Sequence, residues 1–382
     1  MSTATLHTAP KAQATGNRTA RSASRRPAAV PAPSTAPVAP RRPATSPARQ
    51  RLIRRYEIPA DAQPYLDVFF TPTEIAFAAE APTSSFTVEE AQRILDRLAA
   101  RGDAPEATDA AAFLDAAYRR AVVDLAPDEP GTTAANPAAA AHATAPASEP
   151  RYRLGTFYSR LDVFAISEQD ARRTIPDATR AALDAWYFNA YIDSLDPDPA
   201  TPPTQDAMLS LDETLAFIDK QDRPIYLNTC DCRSLANGCE APRRVCLTYK
   251  SGPNTFCGRG LSDALTKEQA KDVVRQADKA GLMHTANPNG ICNCCGDCCY
   301  LFRGQHRRDS LGTWPIAPHV VAYDAEKCIS CGRCVKRCHF DVFALKREGK
   351  QRTLLVDTTP CVGCGLCVSV CPTHALSLVE RN

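Results

Sequence analysis

Regularly spaced apolar positions begin after Tyr65 and predict three helices. Thr71 to Glu74 and Thr87 to Glu90 are both capping boxes, in which a threonine and a glutamate satisfy the first free amides of a helix. A third helix is predicted after Asp109. Each of the last two helices has one predicted buried face. The apolar positions on those faces are Ala91, Ile94, Leu95 and Leu98, then Phe113, Leu114, Ala117, Tyr118, Ala121, Val122 and Leu125.

The next pattern is a strand-like stretch at residues 151–166, which follows a Pro/Ala-rich insert at residues 127–150. Three helices followed by a two-stranded ribbon predict a winged-helix-like region over residues 57–168, with the insert in the wing. Such a region serves either DNA binding or docking. Residues 57–150 hold sixteen acidic residues and five arginines, and DNA affinity depends on neutralising phosphates. Docking is therefore favoured, and nucleic acid is not an expected partner.

One further helix and a mixed region follow. A helix is predicted from Asp177 and a Pro-rich stretch comes after it, so residues 169–206 are assigned to a helix and a linker. Residues 207–319, called the middle region, combine helix and strand signals. A capping box begins at Ser210, a short strand is predicted near Ile225, and another helix begins at Thr266. These signals predict a cysteine-rich α/β middle region in a chain of class α+β.

All 18 cysteines follow residue 229, and ten of them lie in the middle region. In a reducing compartment such a density indicates metal binding rather than disulfides. The Cys-Asp-Cys pair with the next two cysteines supplies four thiolates, and the CNCCGDCC segment supplies three or four more, in one site or in two. A third iron–sulfur cluster is favoured over zinc, and unligated thiols are the remaining alternative. The candidate ligands are Cys230, Cys232, Cys239, Cys246, Cys292, Cys294, Cys295, Cys298 and Cys299.

Two motifs near the end of the chain repeat cysteine at intervals of three, three and four. They are CISCGRCVKRC, from Cys328 to Cys338, and CVGCGLCVSVCP, from Cys361 to Pro372. Three thiolates on one loop can hold three irons of a cubane cluster, and the fourth cysteine is carried away to the partner cluster. Zinc, the alternative, takes four ligands per site, usually as two separated pairs. The repeated spacing therefore favours two [4Fe-4S] clusters.

The motifs resemble those of the bacterial dicluster ferredoxins, and residues 320–382 are assigned to such a ferredoxin-like domain. The family places proline after the fourth cysteine of each motif. Pro372 fits this pattern, whereas His339 departs from it. The resemblance implies one cluster bound by Cys328, Cys331, Cys334 and Cys371, and another bound by Cys361, Cys364, Cys367 and Cys338.

The order of the cysteine segments carries a second resemblance. CxCR, ICNCC and a terminal ferredoxin module follow one another from about Tyr152 onward. This layout is similar to that of a group of anaerobe proteins described broadly as 4Fe-4S binding proteins. It supports the predicted architecture and implies no substrate.

Charge is distributed unevenly along the chain. Residues 1–56 contain eleven Lys or Arg and no acidic residue, which leaves 34 basic and 43 acidic side chains, a net charge of −9, in the remainder. Residues 1–56 are predicted to be a disordered basic tail, because they have few large apolar groups to offset the entropy of ordering. A transit peptide and an arm for anionic surfaces are the alternatives. The chain contains no apolar run of eighteen residues and no signal-peptide pattern, so a soluble cytoplasmic protein without a membrane span is expected.

Two functional hypotheses follow from these features. In the first, the chain is an electron carrier or redox subunit whose clusters connect a partner oxidoreductase to the middle region. In the second, it is an iron–sulfur regulatory protein whose winged-helix-like part responds to cluster oxidation. The acidic charge of that part favours the first hypothesis. A stand-alone enzyme is less expected, because no nucleotide-binding or hydrolytic motif is present.

Overall fold

The computed structural model describes residues 46–103, 109–127 and 149–381. Both helices and strands are present, in agreement with the α+β class. The first part of the chain is mainly helical. Its helices are α1 (Pro47–Tyr56), α2 (Leu66–Phe69), α3 (Pro72–Glu80), α4 (Val88–Ala100), α5 (Ala110–Arg119), α6 (Phe157–Ser167), α7 (Gln169–Arg173) and α8 (Asp177–Asp193), with a 3-10 helix at Ala60–Tyr65.

The predicted capping boxes are present at the first turns of α3 and α4. The Thr71 hydroxyl accepts the amide N–H of Glu74 at 3.2 Å, and the Glu74 carboxylate accepts the N–H of Thr71 at 2.7 Å. Thr87 and Glu90 make the same pair of bonds. Asp109 caps α5 by accepting the N–H of Ala111 at 2.9 Å. Local sequence alone therefore specifies where these helices begin.

Residues 47–56 correct the prediction of a disordered tail, because they form helix α1. The Ser46 side chain caps its first turn, Leu52 and Tyr56 are buried, and Arg55 donates to the carbonyl of Ala78 at 2.7 Å. The prediction used the average composition of residues 1–56, which is low in apolar residues, and therefore missed the local contribution of Leu52 and Tyr56. The rest of the predicted tail, residues 1–45, lies outside the described residues.

The stretch at 151–166 is also different from its prediction. Only Tyr152–Leu154 is a strand (β2), and it pairs antiparallel with Val123–Leu125 (β1). The following residues form α6, because Thr156 caps a helix whose Phe157, Leu161 and Phe164 are buried at helical spacing. Three helices followed by a two-stranded ribbon are thus present. The winged-helix assignment itself stays a prediction, and most of the insert, residues 128–148, lies outside the described residues.

One buried ion pair holds α6 in place. Arg160 has no exposed surface, donates to the carbonyl of Phe69 at 2.8 Å, and pairs with Glu168 at 2.8 Å. We expect Arg160→Leu to lower the free energy of unfolding by about 3 kcal/mol, because it removes the buried donor of the Phe69 carbonyl and leaves Glu168 with Arg120 as its remaining cation. Arg173→Leu, on an exposed pair with Asp170, should change it by less than about 0.5 kcal/mol. Denaturant unfolding measures both, and equal effects would contradict this account.

The middle region is an antiparallel sheet with helices packed against it. The strands are β3 (Ala207–Leu209), β4 (Ile225–Thr229), β5 (Arg244–Thr248), β6 (Asp263–Leu265), β7 (Met283–Asn287) and β8 (Gly290–Cys294). Their spatial order in the sheet is β3, β7, β8, β5, β4 and β6. The helices are α9 (Leu211–Asp219), α10 (Asp231–Ala236), α11 (Lys267–Lys279) and α12 (Tyr300–Arg308). Ser210 and Thr266 cap α9 and α11 as predicted.

The helical part and the middle region share one buried cluster of side chains. Leu235 and Tyr300 of the middle region lie in the same cluster as the apolar faces of the N-terminal helices. Arg259, which is 2 % exposed, pairs with Asp124 of the β1–β2 hairpin at 2.5 Å. The Asn254 side chain accepts a hydrogen bond from the amide N–H of Leu125 and donates one to the carbonyl of the same residue. The hairpin is therefore covered by the middle region.

The last part of the chain contains two antiparallel strand pairs and two short helices. The strands β9 (His319–Tyr323) and β12 (Leu376–Glu380) form one pair, and β10 (Phe343–Glu348) and β11 (Gln351–Val356) form the other. The helices are α13 (Arg333–Arg337) and α14 (Leu366–Ser369). Within the described residues, no helix combines the length and the apolar character needed to cross a bilayer.

Candidate metal centres

A first hollow of about 330 Å³ lies between the two C-terminal cysteine motifs. Three of its cysteines, Cys328, Cys331 and Cys334, come from the first motif, and Cys371 comes from the second. Pro372 also lines the wall. The fourth cysteine of the second motif is thus directed away from its own loop.

A second hollow of the same volume repeats the arrangement in reverse. Cys361, Cys364 and Cys367 of the second motif line it together with Cys338 of the first. The eight cysteines therefore form two quartets, each with three members from one motif and one from the other. This is the grouping that the resemblance to dicluster ferredoxins implied.

Two glycines make the tight loops around the hollows possible. Gly363 has φ +70°, and a Cβ at this position would lie 2.2 Å from the carbonyl oxygen of His319. Gly332 has φ +76°, and a Cβ there would meet the Leu345 side chain at 2.5 Å. Side chains are disfavoured in this left-handed conformation, and here they would also collide with neighbours.

Backbone amides point at the cysteine sulfurs in both hollows. The amide of Ser330 donates to Cys328 Sγ and that of Gly363 to Cys361 Sγ, each at 3.4 Å. The amide of Ala375 donates to Cys371 Sγ at 3.3 Å. Burial opposes ionisation of Cys371, but hydrogen bonds led by the Thr373 and Ala375 amides lower the pKa of its thiol. Such donors stabilise a metal-bound thiolate and raise the potential of a cluster.

Burial has the opposite effect in the second hollow. It raises the pKa of the Cys364 thiol to about 12 and also raises the pKa of Cys367. Without a metal these thiols keep their protons at neutral pH. Metal binding must therefore release protons from this hollow, as is usual for buried thiolate sites.

Residues 322–378 match the family model described as the 4Fe-4S dicluster domain. This part of the chain is a 4Fe-4S dicluster domain. Its donor set, loops and hollows fit the cofactor class of that family. Comparisons of the chain with curated proteins and with solved structures gave no match.

The dicluster domain packs against the middle region through its first motif. His339 Nε2 lies 2.7 Å from the carbonyl oxygen of Gly281. Arg337 donates to the carbonyl of Lys279 at 3.1 Å, at the end of α11. A proline at position 339 could not form the His339 contact. His339, which stands where the ferredoxin pattern has proline, is therefore one of the residues that join the dicluster domain to the middle region.

Six cysteines of the middle region lie side by side and are called the six-thiol set. Cys246 and Cys292 are neighbours, because β5 and β8 pair through the adjacent residues Leu247 and Ile291. Cys294 follows two residues later on the same strand face, and its sulfur lies 3.3 Å from that of Cys299. The full set is Cys230, Cys232, Cys246, Cys292, Cys294 and Cys299. A neighbouring thiol of the set has the largest effect on the pKa of each of the first five, and Cys299 lies beside Cys294.

The remaining three candidates form the separate three-thiol set, Cys239, Cys295 and Cys298, whose sulfurs all lie within 4.8 Å of one another. The sequence instead described the Cys-Asp-Cys pair, Cys239 and Cys246 as one supply of thiolates and the CNCCGDCC cysteines as another, in one shared site or in two. In the structure the sulfurs are grouped differently. Cysteines that are adjacent in the sequence fall into different sets because of how the strands pair. The spacing of cysteines along the chain does not reveal that pairing.

Two acidic residues beside the six-thiol set were not singled out from the sequence. Burial raises the pKa of the Asp231 carboxyl to about 6 and also raises the pKa of the Asp162 carboxyl well above its usual range. Tyr187 lies beside Asp162, and its ring stacks on Tyr158 at 3.9 Å between centroids. The position of Asp231 between two candidate ligands was the only local signal. Asp162 lies in a stretch whose predicted strand conformation was wrong.

The six-thiol set and the second hollow of the dicluster domain border the same apolar cluster. Cys294 and Cys299 belong to it, together with Phe302 and Val362, and Cys364 packs against it. Cysteines of the six-thiol set and of the second hollow therefore belong to or pack against one apolar cluster.

Proposed function

We propose that this chain is an iron–sulfur electron-transfer protein, a redox subunit or electron donor for a partner oxidoreductase. Its dicluster domain carries two [4Fe-4S] clusters. One is bound by Cys328, Cys331, Cys334 and Cys371, and the other by Cys361, Cys364, Cys367 and Cys338. The observation that carries this proposal is the crosswise lining of two hollows by the two motifs.

The residues around the hollows suit electron transfer. Each cluster delocalises one electron over its irons, so little rearrangement accompanies reduction. Cys338 of the first motif lies at the second hollow, and Cys371 of the second motif lies at the first. This crossing keeps the two proposed clusters close together. Val342, Phe343 and Val362 are buried at their walls. These side chains exclude water, while the amide donors to sulfur partly offset the resulting loss of solvation.

The six-thiol set is proposed to hold a third iron–sulfur centre. A tetrahedral metal ion takes four ligands, so six adjacent thiols exceed what one zinc ion uses. Cys292 is exposed although its strand, β8, is paired on both edges. The exposed side chain shows that there is open space beside the six-thiol set. Electrons would pass from the first cluster to the second and then through the Phe302 and Val362 layer to this centre.

The regulatory hypothesis gains less support. Arg119 pairs with Asp115 at 3.1 Å, and Arg120 pairs with Glu74 at 2.8 Å. These two residues are the basic side chains of the third helix, and both are occupied within the chain. Arg259 also pairs with Asp124 of the β1–β2 hairpin, so part of the hairpin faces the middle region and not a partner.

Iron and sulfide analysis of anaerobically purified protein tests the proposal. We expect about twelve irons per chain, and about eight irons in the double variant that carries both Cys294→Ser and Cys299→Ser. Cys257→Ser is the matched control, because Cys257 belongs to neither set and should keep all of the iron. Reversible reduction by a low-potential donor should bleach the visible absorbance of the wild-type protein.

The outcomes separate the two parts of the proposal. About eight irons in the wild type, with no further loss in the double variant of Cys294 and Cys299, would refute the third centre and leave the dicluster domain standing. Fewer than about eight irons after cluster reconstitution, or clusters that accept no electrons, would refute the electron-transfer function itself.

A further inference from the structure

The three-thiol set is a metal site of a different kind. We propose that Cys239, Cys295 and Cys298 bind one zinc ion, separate from every iron–sulfur centre, with solvent as the fourth ligand. Cys295 and Cys298 are buried, whereas Cys239 is half-buried at the open side of the set. This inference adds a site to the proposed electron carrier and does not depend on that function.

Sulfur separations distinguish a single ion from a cubane. The sulfurs of Cys239 and Cys298 lie 3.7 Å apart. With a Zn–S bond of about 2.3 Å, two thiolates on one tetrahedral ion lie about 3.8 Å apart. The ligands of a cubane bind different irons on the outside of the cluster and must lie farther apart. The quartets of the dicluster domain accordingly line hollows, whereas all three sulfurs of this set lie within 4.8 Å of one another. In the six-thiol set the same argument allows at most one of Cys294 and Cys299, whose sulfurs lie 3.3 Å apart, to bind a cubane.

The backbone around the set has the form of a zinc knuckle. Cys295 and Cys298 are separated by two residues in a tight turn, and the Cys298 amide donates to Cys295 Sγ at 3.3 Å. Gly238 lies against the Cys298 sulfur. A Cβ at Gly238 would lie only 3.3 Å from that sulfur, so glycine permits the close approach. Amide donors of this kind orient and stabilise metal-bound thiolates.

A buried cation balances the charge of the site. Three thiolates and one Zn²⁺ carry a net charge of −1, which is costly to bury without a partner. The Arg233 side chain is 1 % exposed, lies close enough to Cys295 for the two charges to interact, and donates to the carbonyl of Pro242. It is held in place by a further bond to the carbonyl of Asn293 at 2.8 Å. The guanidinium therefore compensates the charge that a zinc-loaded set would carry.

The position of the knuckle connects it to the dicluster domain. Gly296 lies inside the turn, and a Cβ there would meet His339 Cβ at 2.7 Å. His339 directly follows Cys338, which lines the second hollow. A zinc ion at this place would fix the surface on which the second cluster rests.

Separate counting of zinc and iron in the full chain tests this site. We expect about one zinc per wild-type chain after chelator treatment. Cys239→Ser and Cys298→Ser should lower the bound zinc at least fivefold with the iron content unchanged. Cys257→Ser should retain zinc. Zinc retained by both ligand variants, or a loss of about four irons in them, would overturn the proposal.

A measurement on the wild-type chain avoids the risk that a variant fails to fold. X-ray absorption at the zinc edge should show about three sulfur neighbours at about 2.3 Å and one lighter neighbour. Zinc surrounded only by nitrogen and oxygen, or no zinc in protein that holds its full iron, would refute the site. Because the two metals are counted independently, a failure here leaves the electron-transfer proposal to its own test.

Discussion

Replacing Cys371 with alanine is expected to remove the cluster of the opposite motif. Cys371 lies with Cys328, Cys331 and Cys334, although it follows Cys367 in the chain. The loss of one ligand exposes an iron and leaves a buried site incomplete, so the cluster in the first hollow should be lost. The cluster in the second hollow should remain, because all four of its cysteines are intact.

Iron analysis and electron paramagnetic resonance of the reduced protein measure this effect. Cys371→Ala and Cys331→Ala should each lose about four irons and leave the same residual spectrum. Cys367→Ala and Cys338→Ala should leave the other spectrum. If Cys371→Ala instead matched Cys367→Ala, each motif would hold its own cluster and the crosswise assignment would be wrong.

Gly363→Ala is expected to have the second large effect, on both stability and cluster content. A methyl group at this position would lie 2.2 Å from the His319 carbonyl oxygen, in a residue with φ +70°. The neighbour is backbone of strand β9, so a side-chain rotation cannot relieve the collision. We expect the free energy of unfolding to fall by ~3 kcal/mol or more. The cluster bound beside Cys361 should be lost, because the loop that carries this ligand must move.

Gly349→Ala is the matched control for that substitution. Gly349 also has a left-handed backbone, with φ +58°, but nothing lies within 4 Å of its Cβ position. This variant should lose only about 1 kcal/mol and keep all of its iron. Anaerobic denaturant unfolding with iron analysis compares the two. Equal losses would show that backbone conformation, and not the contact with His319, limits position 363.

The position of the centres gives the proposed electron route a direction. The six-thiol set borders the apolar cluster of Phe302 and Val362, and Cys364 packs against the same cluster. Cys331, which lines the first hollow, has an exposed side chain. A partner that docks near Cys331 would therefore meet the first cluster, with the six-thiol set at the opposite end of the route.

Local chemistry determined much of the fold before any tertiary contact. The capping boxes at Thr71, Thr87 and Ser210 predicted helix starts that the structure contains. A cap and its glutamate are three residues apart, so the whole interaction is encoded in one short segment. The cysteine intervals of the two C-terminal motifs predicted the dicluster domain for the same reason.

Tertiary structure decided the features that depend on distant residues. Helix α1 is stabilised because Leu52 and Tyr56 are buried in a core formed by other parts of the chain. Helix α6 likewise depends on the buried Arg160, which pairs with Glu168. The nine candidate ligands of the middle region were identified by type, but their division into six and three follows from the pairing of β5 with β8. Thiols are chemically identical along the chain, and only the register of the sheet and the turn after it bring particular sulfurs together.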